Sequence, residues 1–97
     1  MIDGRLSFRQ RVTTAPDVLF RTIGDEAVLL NLRTEMYLGL DPVGARMWAV
    51  LHESPSIEAG YATLRDEYDV APDVLRHDLE ALLAQLLDQR LIELTTT

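Results

Sequence analysis

The sequence predicts an α+β fold, a three-stranded antiparallel sheet followed by three helices, and two observations predict it. Within residues 26–48, two short apolar runs, Ala27–Leu32 and Met36–Leu40, flank the polar link Arg33-Thr34-Glu35, the pattern of a β-hairpin. From residue 42 onward the apolar residues recur at three- and four-residue spacing instead, the period of helices with one buried face.

A first strand is expected at Val18–Ile23, rich in branched and aromatic residues, with Gly24-Asp25 as the turn into the second. The second, Ala27–Leu32, is nearly all apolar, as a central strand with covered faces should be. Short connections then make a meander with the third strand, Met36–Leu40, outermost. Little chain remains to cover its far edge, and such an edge is a row of unpaired donors and acceptors, either a hazard or a docking site. Leu38 is the position whose amide is expected to serve an added strand, and Tyr37 the aromatic side chain to flank it.

Asp41-Pro42 opens the first helix, to about His52: the carboxylate can accept from free amides of the first turn, and proline at the first helical position gives up no needed donor. Val43, Met47, Val50 and Leu51, with Trp48 beside them, form its inward stripe. Ser56 caps a second helix carrying Ile57, Tyr61, Leu64 and Tyr68, and Gly60 within it implies close approach of a neighbouring helix. The third helix, about Pro72–Gln89, places Leu75, Leu79, Leu82 and Leu86 in one stripe that Val74, Leu83 and Leu87 widen on both sides. Its period does not say which margin is left to face a partner. Leu91–Leu94 reads as a short extended piece and Thr95–Thr97 as a frayed end. Residues 1–17 read as an N-terminal arm, solvated, with a loop at Thr13–Asp17, and 18–97 as one domain.

At 97 residues the chain is near the lower limit for a self-sufficient core. It lacks cysteine, which removes disulfides, thiolate nucleophiles and most structural zinc sites. Without a long apolar run or signal segment, a cytoplasmic location with no membrane association is expected. The net charge of −7 is uneven: residues 41–97 hold four arginines against eleven acids, whereas residues 1–40 balance. A DNA-reading helix needs the opposite sign, so nucleic acid is not an expected partner.

Chemistry is hard to find. His52 and His77 have no companion at metal-ligand spacing, and Arg76-His77-Asp78 point in different directions around a helix. Ser7, Ser54 and Ser56 lack a nucleophile-elbow context, the acidic run Asp66–Asp69 lacks the spacing of a calcium loop, and Gly39 and Gly44 form no phosphate cradle. No catalytic residue, metal or cofactor is expected.

Three stretches carry a resemblance to a known family: Val28-Leu29-Leu30-Asn31-Leu32, then Tyr37-Leu38-Gly39-Leu40-Asp41-Pro42-Val43-Gly44-Ala45-Arg46-Met47-Trp48, then Leu64-Arg65-Asp66-Glu67-Tyr68-Asp69-Val70. In these, residues 18–94 resemble the PqqD-like domain, or RiPP recognition element, three strands and three helices in a winged-helix-like body. Family members often carry glycine where this chain has Glu35 and asparagine where it has Asp41. The resemblance implies a non-catalytic module to whose third strand the leader of a ribosomally made precursor adds, lying in a groove beside the third helix. Transferred by position, the strand side is Arg33, Glu35, Met36, Tyr37, Leu38 and Gly39, and the helix side Val74, Leu75, Asp78, Leu79 and Leu82, with Arg33 and Arg76 as candidates to pair with acidic leader residues. As a stand-alone chain it is most similar to the leader-binding partner in split lasso-peptide systems. Its implied partners are then the leader peptide, a cysteine-protease leader peptidase and a cyclase. The alternatives are the peptide chaperone that serves a radical enzyme in pyrroloquinoline quinone synthesis and, from another class, a winged-helix regulator of transcription.

Overall fold

The structure is a computed structural model and describes residues 7–95. Its elements in chain order are β1 (Arg11–Thr14), β2 (Val18–Ile23), β3 (Glu26–Asn31), β4 (Tyr37–Leu40), α1 (Pro42–Glu53), α2 (Ile57–Glu67), α3 (Pro72–Asp88) and β5 (Ile92–Thr95). The expected three strands and three helices are present, with ends moved by a residue or so.

Strands β2, β3 and β4 form an antiparallel sheet in that order, and β3 is its centre. Gly24 turns β2 into β3 at φ +64°, a backbone state that glycine adopts without strain. Along β3, Ala27, Leu29 and Asn31 are buried against the helices while Val28 and Leu30 face outward, the period of two that a sheet with one covered face requires. Leu40 ends β4 in the core, and one residue later the chain is helical. Asp41 caps α1 by accepting from the Gly44 amide at 2.8 Å, and Ser56 caps α2 by accepting from Ala59 at 3.1 Å.

The solvated arm gives way to a strand that takes in Thr13 and Thr14, while residues 15–17 keep the expected loop. Arg11–Thr14 pairs antiparallel with Ile92–Thr95, Val12 opposite Leu94, and Val12 is buried in the core. Just before it, the carbonyls of Gln10 and Phe8 accept from the Ile57 and Glu58 amides at 2.8 and 2.9 Å. Those are first-turn donors of α2 that have no partner within the helix. The N-terminal segment is thus part of the packed body because both the last strand and a helix start need its backbone. The first six residues of the expected arm and the last two, Thr96-Thr97, lie outside the described residues.

The core fills the space between the sheet and the helices with Trp48, Leu51, Ile57, Leu64, Leu79, Leu83, Leu86 and Leu91, each almost wholly shielded from solvent. Gly60 is where α2 meets α1: a Cβ there would sit 3.1 Å from Leu51 Cδ2, the close approach its place in the pattern implies. Arg46 on α1 binds Glu67 on α2 through two contacts, one of them Nε to Oε2 at 2.9 Å.

Candidate functional site

The site begins with a turn. Asn31, buried at the end of β3, accepts through Oδ1 from the Arg33 and Thr34 amides at 2.9 and 3.2 Å and donates through Nδ2 to the Arg90 carbonyl at 2.9 Å. Glu35 completes the turn at φ +63°, the left-handed state that explains why glycine suits this position. The Asn31 amide then donates to the Met36 carbonyl at 2.8 Å, and this bond sets the phase of the ladder.

In an antiparallel pair, residues that exchange hydrogen bonds alternate with residues that do not. With Asn31 bonded to Met36 and Leu29 opposite Leu38, Leu38 and Leu40 turn their backbone groups toward β3. Tyr37 and Gly39 turn theirs outward. Among the described residues β4 has no neighbour on that outer side, so the donors and acceptors of Tyr37 and Gly39 are open. The amide expected at Leu38 to serve an added strand therefore faces inward, and its neighbours serve instead. A Cβ at Gly39 would touch nothing within 4 Å, so the sheet face beside that position is open as well.

Where β4 runs into α1, a trough of about 290 Å³ opens between α1 and α3. Asp41, Val43, Gly44 and Met47 form one wall, and Asp78, Ala81, Leu82 and Gln85 the other. Met47 and Leu82 supply its apolar floor. Val43 is 47% exposed at its mouth and Val74 50% exposed one turn before Asp78, which leaves apolar surface for an incoming side chain to cover. The margin of α3 that carries Asp78, Ala81, Leu82 and Gln85 thus faces the trough.

The predicted site residues separate into groups. Tyr37 and Gly39 lie on the open strand and Met36 just before it, with Tyr37 70% exposed, and Asp78 and Leu82 line the trough, with Val74 on the same margin. Leu75 and Leu79 are core residues, at 3% and 0% exposure, and can support a bound chain only from beneath. Arg33 lies at the far end of the hairpin, in a separate pocket with Thr34, Leu87 and Arg90. Arg76 lies on the opposite margin of α3, its guanidinium over the Phe8 ring at 4.2 Å and 3.6 Å from Glu80. The two arginines proposed for acidic leader residues therefore do not line the trough, whose charged residues are Asp41 and Asp78. The wall from α1 escaped the sequence reading, although the abrupt passage from Leu40 to Asp41-Pro42 was the signal that could have found it.

Glu67 lies below the usual carboxylate range and Arg46 above the usual guanidinium value, because each hydrogen-bonds the other on the surface. His52 stacks on Trp48 with ring centres 5.3 Å apart. Among the described residues, no group of three or more histidines or acids could hold a metal ion, and no helix is long and apolar enough to cross a membrane.

Residues 26–92, which hold the hairpin, all three helices and the trough, match the family described as Coenzyme PQQ synthesis protein D (PqqD). The chain belongs to the PqqD family. Two solved structures resemble this PqqD-family chain. One, described as "TbiB1 in Complex with the TbiA(beta) Leader Peptide", shares 36% identity at a TM-score of 0.77 over 84% of this chain and 94% of that one. The other, "Lasso peptide synthetase B1 complexed with the leader peptide", has 22% identity and a TM-score of 0.76, with 86% and 98% covered, and shares the fold. No curated protein sequence matches this PqqD-family chain.

Proposed function

We propose that the chain binds the leader segment of a ribosomally synthesised precursor, of the lasso-peptide kind, and does no chemistry itself. The observation that carries this reading is the open edge of β4, where Tyr37 and Gly39 present unpaired backbone groups that lead into the trough beside Leu82. An extended peptide satisfies such groups by adding as a strand, and its alternate side chains reach the apolar floor. The likeness at 36% identity to a chain solved with a leader peptide supports leader binding. The pyrroloquinoline quinone reading rests on the family's description alone.

The bound leader would be handed to a cysteine-protease leader peptidase and to a cyclase. The module's contribution is tethering, since holding the leader raises the effective concentration of the adjoining cleavage site at the enzyme.

The test is calorimetric titration with the synthetic leader of the precursor encoded beside the chain's own gene. Gly39→Pro removes one outward donor from a folded protein and should weaken binding roughly tenfold, the worth of about one hydrogen bond. Unchanged affinity in the folded variant would reject strand addition at this edge. Reading the neighbouring genes for a transglutaminase-like peptidase and an asparagine-synthetase-like cyclase, or for a radical enzyme instead, decides between the lasso and quinone assignments.

A further inference from the structure

On the side of α3 away from the trough, the N-terminal segment, α2 and the start of α3 enclose a pocket of about 410 Å³. Three guanidinium groups line it, from Arg9, Arg65 and Arg76, with one lining carboxylate, Glu58, and a second, Glu80, 3.6 Å from Arg76. That concentration runs against the rest of the molecule, whose net charge is −7. The helical half contains four arginines; Arg46 is occupied by Glu67 and Arg90 lies at the hairpin pocket, so the other two meet here.

Aromatic rings hold these cations in place. Arg76 lies over Phe8 at 4.2 Å and Arg65 over Tyr61 at 5.6 Å, while Phe8 and Tyr61 meet edge to face at 5.8 Å. The Tyr61 hydroxyl donates to the Pro72 carbonyl at 2.8 Å, and the Phe8 carbonyl is fixed by the Glu58 amide. Guanidinium groups so placed lose less freedom when they meet a carboxylate, and the ring faces beside them offer apolar contact. The pocket is much larger than one small anion and partly apolar, so it fits a chain segment.

We infer that this pocket docks an acidic protein segment in which carboxylates flank an aromatic residue, contributed by a partner protein. The inference is independent of what the trough binds. Because the pocket and the trough lie on opposite margins of α3, both can be filled at once, and the module can join a partner to whatever the trough holds.

The probe is a fluorescein-labelled peptide DEFED with its neutral counterpart NQFQN, titrated into the isotope-labelled full chain at low salt and followed by polarisation and amide chemical shifts. Saturable binding of DEFED and not NQFQN is expected, with shifts at Phe8, Arg9, Arg65 and Arg76 while Tyr37, Gly39 and Leu82 stay still. Arg9→Gln with Arg65→Gln should weaken binding about tenfold, the worth of two exposed ion pairs, while Arg21→Gln with Arg33→Gln, an equal loss of charge elsewhere, leaves it within about twofold. No saturable binding, equal loss in both double variants, or shifts centred on the trough would each overturn the proposal. Failure of the leader titration would leave this result untouched.

Discussion

Asn31 holds three backbone groups at once, and the hairpin depends on it. Its side chain accepts from Arg33 and Thr34 and donates to Arg90 across a sequence separation of 59 residues, all from a buried position. Asn31→Ala leaves those groups without partners, and the expected loss is about 3 kcal/mol in urea unfolding. Arg90 carries the opposite kind of cost. The Leu91 amide bonds to Leu86 and the Arg90 amide to Leu87, the pattern that closes a helix through a left-handed residue, and Arg90 occupies that place at φ +56°. Glycine takes this conformation more readily, so Arg90→Gly should raise stability by about 0.5–1 kcal/mol, read as a higher thermal midpoint.

At the scale of elements, β4 has two sides with different duties. Its inward groups at Leu38 and Leu40 hold it to β3, and its outward groups at Tyr37 and Gly39 are left for a partner. Leu38→Pro should therefore unfold the hairpin, costing about 3 kcal/mol or more, whereas Gly39→Pro should leave the thermal midpoint nearly unchanged. Circular dichroism melts of the two variants make the comparison, and equal destabilisation would show that the ladder's phase is misassigned. Strand β2 is the sheet's other edge, and its phase sends the outward groups to Val18, Phe20 and Thr22. The trough adjoins the β4 edge, where α1 begins.

For the whole molecule, the helices are joined at the surface by Arg46 and Glu67. The Glu67 carboxyl titrates below its usual range because Arg46 hydrogen-bonds its charged form. A depressed carboxyl stabilises the fold above its unfolded value and stops doing so as pH falls through its folded one. Glu67→Gln should thus lower the thermal midpoint slightly at neutral pH, by a small amount because the pair is solvent-exposed. The gap should close in acid below the carboxylate range, and a gap that is the same at every pH would mean that the pair's charge contributes nothing. The surplus of acids in the helical half has a larger consequence: Asp73, Asp78 and Glu80 lie on α3, the helix that would have to enter a DNA groove.

The sequence by itself determined the types and order of the elements after residue 18, the caps at Asp41 and Ser56, and the exposed third strand, because each depends on residues within a few positions of one another. Tertiary structure alone decided three things. Val12 is buried because β1 finds its partner about eighty residues away, a pairing with no local signature. Asp78 faces the trough and Arg76 faces Phe8, and not the reverse, because packing, not period, fixes how a helix with a wide apolar stripe is rotated. Gly39 and not Leu38 offers its amide because the turn around Asn31 sets the ladder's phase, and a shift of one residue there exchanges inside for outside.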